Sequence, residues 1–78
     1  MNQVQRDTRR IDVMLDGRLY AGQQTVTGLT VRHQYVTYGS VRRDDALGYF
    51  PGQSQMMETQ ARHLLWLLVL EEMVGQVA

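Results

Sequence analysis

Seventy-eight residues, 44% of them hydrophobic and 21% charged, suit one small globular domain and exclude a disordered chain. Eight basic residues balance eight acidic ones, so no net field draws the chain towards nucleic acid or anionic lipid. Cysteine is absent, which excludes a disulfide scaffold, a thiolate metal site and a cysteine nucleophile.

Residues 1–10 are polar and lack the apolar stretch of a signal peptide, and residues 1–9 are expected to fray. Residues 10–38 read as strands. Ile11, Val13 and Leu15 alternate with Asp12 and Met14, the period of two of a half-buried strand. Asp16-Gly17 is a hairpin turn signal, because both residues tolerate positive φ. The chain then returns antiparallel over Arg18–Ala21, with Leu15 opposite Arg18 and Val13 opposite Tyr20. Gly22 and Gly28 bracket a weaker segment, 23–27, readable as loop or as the start of a strand. Leu29–Tyr38 reads as the best long strand. It places Leu29, Val31, His33 and Tyr35 on one face and Arg32, Gln34, Val36 and Tyr38 on the other.

Residues 39–53 read as a connector. Within it, either Ser40 caps a short helix ending near Leu47, or Val41 extends the preceding strand. Tyr49-Phe50-Pro51-Gly52 reads as a turn. Helix is expected over 54–75, with Ser54 as N-cap and Gly75 just past the last turn. Glu58 and Arg62 should pair across i, i+4 on its wet side.

That helix carries two apolar stripes. Met57, Ala61, Leu64 and Leu68 fall together at 100° per residue, with Leu65 beside them. Met56, His63, Leu67, Leu70 and Val74 form a second stripe about 120° away, with Trp66 and Met73 at its edge. A helix on one small sheet needs only one apolar face, so the second stripe implies further cover. The remaining loops could supply it, and a foreign partner protein could use the same surface; a second copy of the chain is the better fit, since oligomerisation is a common remedy for a thin core. The expected dimer interface is Met56, His63, Trp66, Leu67, Leu70 and Val74.

Catalytic chemistry is poorly supplied. Ser40 and Ser54 lie in turn and cap contexts, and neither sits in a nucleophile elbow. His33 reads as a satisfied strand residue and His63 as an interface residue. Two distant histidines with no ligand spacing give no metal site, and the seven glycines match no phosphate-binding loop, so neither cofactor nor metal is expected. Adjacent carboxylates at Asp44-Asp45 and Glu71-Glu72 point about 100° apart if helical and do not form an acid–base dyad. Asp44-Asp45 should neutralise Arg42-Arg43 in a solvated loop, and Glu71 could meet an Arg across an interface.

The expected fold is α+β: a small antiparallel sheet of three or four strands, then one long C-terminal helix packed on one face. The expected function is non-enzymatic protein binding as a homodimer. Size and missing chemistry resemble the small inhibitors and accessory proteins of phages and mobile elements. A protein partner would be gripped through Arg32, Tyr38, Arg42 and Arg43, with Tyr49 and Phe50 as anchors, because aromatic and Arg side chains dominate interfaces. The alternative is a nucleic-acid-binding dimer using Arg32, Tyr38, Arg42 and Arg43. The longest apolar run, Leu64–Leu70, falls far short of the roughly 20 residues of a membrane span. A cytoplasmic protein without membrane contact is therefore expected.

Overall fold

A computed structural model describes residues 6–28, 31–45 and 54–77, with helix side chains described over 57–75. The described residues form β1 (Arg6–Leu15), β2 (Arg18–Thr27), β3 (His33–Tyr38), β4 (Val41–Asp44) and α1 (Ser54–Val77). The strands make one antiparallel meander in the order β1-β2-β3-β4, and α1 packs on one face of it. This is the α+β architecture expected from the sequence.

The first hairpin forms as its turn residues dictate. Asp16 and Gly17 take φ of 51° and 76°, the two positive values of a type I′ turn. Leu15 faces Arg18 and Val13 faces Tyr20. Gly17→Val is expected to cost about 1 kcal/mol or more, because a β-branched residue is strained at that φ; urea melts would measure it. From this turn the pairing runs unbroken to Arg6 opposite Thr27.

Several expected boundaries move. Residues 6–9, expected to fray, are the first four positions of β1, held by β2 through register and not by apolar character. Residues 23–27 belong to β2 and pair with β3 as well as with β1. The third strand is shorter than Leu29–Tyr38: Val31 lies in a bend and the strand begins at His33. The 39–53 connector contains a fourth strand. Gly39, at φ 61°, and Ser40 form a two-residue turn that sets Val41 opposite Tyr38. Positive φ at the first central position alone is the type II′ pattern. Residues 40–44 are therefore neither a short helix nor an extension of β3. The helix begins at Ser54 and runs through Gly75 to Val77, so Gly75 does not end it. The Tyr49–Gly52 turn lies outside the described residues.

Register assigns the two sheet faces. Ile11, Val13 and Leu15 of β1, Tyr20, Gly22 and Gln24 of β2, and Gln34, Val36 and Tyr38 of β3 share the helix side. The side with Arg32, Gln34, Val36 and Tyr38 is thus the covered one. The core joins Ile11, Val36, Ala61, Leu65, Leu68 and Val69, with Val13, Leu15, Tyr20, Tyr38, Leu64 and Met73 packed against it. Every member of the first helical stripe is buried or partly buried, as its spacing predicts.

Two glutamines lie inside this layer. Gln24 and Gln34 are 1% and 2% exposed, and a buried amide is costly unless bonded. Both are bonded in a row that crosses the sheet under the helix. Arg9 Nε donates to Gln24 Oε1 at 2.8 Å, Gln24 Nε2 donates to Gln34 Oε1 at 2.7 Å, and Gln34 Nε2 donates to Asp45 Oδ2 at 3.0 Å. Gln34→Leu should cost about 1–3 kcal/mol, because it leaves the Gln24 amide without its acceptor. Gln24→Leu combined with Gln34→Leu should cost less than the two single effects added, a coupling that chemical melts would resolve.

Candidate functional site

The strands place the expected partner-binding residues on different sides of the sheet. Arg42 and Arg43 are consecutive in β4, so they face opposite ways. Arg43 is opposite Val36, on the helix side, and its guanidinium donates to Glu71 of α1. Glu71, expected to meet an Arg across an interface, pairs inside its own chain. Tyr38 is partly buried against the core and meets Tyr20 edge to face at 6.5 Å. Arg32 donates to Asp7 at 3.1 Å. It lines a helix-side cleft of about 310 Å3 with Asp7, Arg9, Gln24, Val26 and Met57.

Of these four, only Arg42 stands on the open face. Its guanidinium lies 3.8 Å from the ring centroid of Tyr35 and grips Asp44 through Nε at 2.6 Å and Nη2 at 3.2 Å. The hydrogen bond from Arg42 is the largest influence holding the Asp44 carboxyl below its ordinary value, and Asp44 raises Arg42 in return. Asp44 should therefore stay ionised under mild acid, and the pair's contribution should disappear only as pH falls through the lowered value. Arg42→Ala should return the Asp44 titration, followed by NMR, towards the ordinary carboxylate range. Asp44-Asp45 do not form the expected solvated loop: Asp44 ends β4 and Asp45 anchors the buried glutamine row. Arg32, Tyr38, Arg42 and Arg43 consequently make no single patch. Tyr49 and Phe50 lie outside the described residues.

The second helical stripe falls on the side of α1 away from the sheet. Its core side is set by Met57, Ala61, Leu65, Leu68 and Val69, all buried. At 100° per residue, the direction opposite their centre is taken by His63, Leu70 and Val74, with Trp66 and Leu67 on the two flanks. Trp66 is 38% exposed and Val74 69%, while Leu67 and Leu70 are partly buried. His63 stacks on Trp66 with centroids 5.9 Å apart and planes inclined by 25°. The Met56 side chain lies outside the described residues. Met73, placed by sequence at the stripe's edge, packs against the core.

A second apolar pair, missed by the sequence reading, lies on the open face. Met14 and Leu19 are opposite one another there, 68% and 58% exposed. The strand alternation contains the signal, since Met14 shares its face with Asp12 and not with Val13.

The histidines are kept apart. His33 is on the open sheet face and His63 on the outer helix face, with the core between them. Among the described residues, no group of three or more His, Asp or Glu could hold a metal ion. None of their helices is long and apolar enough to cross a membrane. The class defined is a four-stranded antiparallel meander under one helix whose outer face is apolar. No family model, curated protein or solved structure matches the chain.

Proposed function

We propose that this chain is a non-enzymatic protein-binding module that works as a homodimer, joined through the outer face of α1. The observation that carries the reading is the crest of His63, Trp66, Leu67, Leu70 and Val74, turned away from the sheet that the helix covers. Among the described residues, seven apolar side chains are buried, a thin core for a domain of this size. Oligomerisation adds apolar burial to such domains without lengthening the chain.

A second copy is the occupant that the crest fits, because two identical apolar crests cover one another about a two-fold axis. The helix charges stay out of that contact: Arg62 pairs with Glu58 and Glu71 with Arg43 inside one chain. The assembly is a sheet, two helix layers and a second sheet, with both open sheet faces outward for other proteins. The small inhibitors and accessory proteins of phages and mobile elements are the functional class that such a two-faced binder fits.

Trp66 is the only tryptophan, so its emission reports the crest alone. Dilution through the dissociation range should shift that emission to the red as the indole meets water. An emission maximum independent of concentration, at the wavelength of an exposed indole, would contradict the reading.

The nucleic-acid alternative has less support. Arg32, Arg42 and Arg43 are each paired with a carboxylate, and the Tyr35 ring is already covered by Arg42. Binding of oligonucleotides at low salt, fading steeply as salt rises, is the result that would restore it.

A further inference from the structure

We infer that β1 is a self-pairing edge: two copies join β1 to β1, antiparallel, about a two-fold axis beside Ile11, to make one eight-stranded sheet. The inference is independent of the helix contact and uses a different surface.

Among the described residues, the strand order leaves β1 and β4 as the two edges. Edge strands are blunted by shortness, charge, proline or bulges. β4 has the first two devices, with four residues of which three are charged. β1 is ten residues long, contains no proline and pairs with β2 without a bulge; charge, on five of its residues, is the one such device it carries. It offers an uninterrupted row of backbone donors and acceptors on its outer side, the template that an added strand uses.

The charges of β1 select both partner and register. Antiparallel pairing of two identical edges needs a two-fold axis perpendicular to the sheet, so equivalent faces stay on the same side. Centred on Ile11, this pairing sets Arg10 of each copy opposite the partner's Asp12, and Arg9 opposite the partner's Val13. Both Arg10 and Asp12 are exposed enough to reach across, and within one chain they already meet at 3.1 Å. Neighbouring registers fail. Centring on Arg9, Arg10 or Asp12 sets that residue against its own copy, and centring on Thr8 sets Arg6 against Arg10. Unlike charges directly opposite favour an antiparallel pair, and like charges oppose it. The register beside Ile11 alone combines long overlap with complementary charge, so the edge fits a second copy of itself. With few apolar side chains in the seam, this contact is weaker than the helix contact and fills at higher concentration.

The test isolates the edge by removing the helix contact with Leu70→Arg and working at submillimolar concentration, with circular dichroism to verify folding. The Leu70→Arg protein should sediment near 18 kDa, twice the 9.0 kDa chain. Adding Arg10→Asp or Asp12→Arg should return each to 9.0 kDa, with association weakened at least tenfold. Mixing those two variants should restore the 18 kDa species, because the doubly acidic edge of one then faces the doubly basic edge of the other. That recovery requires the two edges to meet between molecules. A folded Leu70→Arg protein that remains at 9.0 kDa, or a mixture that does not recover, overturns the edge and leaves the helix contact standing. Should Leu70→Arg not fold, hydrogen exchange on the unsubstituted chain decides: β1 amides must gain protection as concentration rises, and unchanged exchange overturns the inference.

Discussion

Gly22→Ala is expected to destabilise the fold by about 2–3 kcal/mol, the cost of forcing extra volume into a packed core. A Cβ at this position would lie 2.6 Å from Leu65 Cδ1 and 2.6 Å from the Thr37 carbonyl oxygen. Neither neighbour can give way easily. Leu65 is fully buried, and the Thr37 oxygen belongs to the backbone of β3. Gly22 is where α1 comes down onto the sheet, and the bare backbone lets Leu65 seat between β1 and β3. Gly39→Ala supplies the control, since no atom lies within 4 Å of a Cβ there and only its positive φ is strained. Equal denaturation midpoints for Gly22→Ala and the unsubstituted chain would mean that the helix does not rest on Gly22.

The sequence shows the parts of this fold that depend on local chemistry. Asp16-Gly17 fixes its hairpin because both residues tolerate left-handed φ, and Met57, Ala61, Leu65 and Leu68 mark the core side of the helix by spacing alone. What stays hidden depends on tertiary pairing. Arg6–Arg9 and Val41–Asp44 look like solvated chain because they are charged, yet both belong to edge strands, where charge is the usual composition. Gly39-Ser40 is a turn signal that the surrounding polar residues disguise. Gly22 reads as a boundary and proves to be a contact.

The expected binding surface separates for a simple reason. Arg42 and Arg43 look equivalent in a connector, but in a strand neighbours point to opposite faces. One stacks on Tyr35 and the other reaches Glu71. The glutamine row shows the converse. Gln24 and Gln34 look like surface residues, and only the register of three strands reveals that they bond each other beneath the helix. The helix crest is legible because it is a property of one element.

Leu70→Arg and Leu67→Glu should separate the dimer into monomers at micromolar concentration, by placing a charge in a dry helix–helix contact twice over, a penalty of several kcal/mol. The same change on the opposite side of the helix has a different expected result. Met57→Glu, at a site 4% exposed, should abolish folding itself, since the charge would sit against the core. Circular dichroism and sedimentation together distinguish these outcomes. Crest variants should keep helix and strand signals while losing mass; the core variant should lose the signals. A crest substitution that unfolds the chain would place Leu67 and Leu70 in the core instead.

The most direct measurement is sedimentation of the unsubstituted chain at micromolar concentration and neutral pH. A helix-joined homodimer predicts a species near 18 kDa, twice the 9.0 kDa chain, that Leu70→Arg converts at this concentration to a folded species at 9.0 kDa. A well-folded 9.0 kDa monomer for the unsubstituted chain under these conditions would contradict the account.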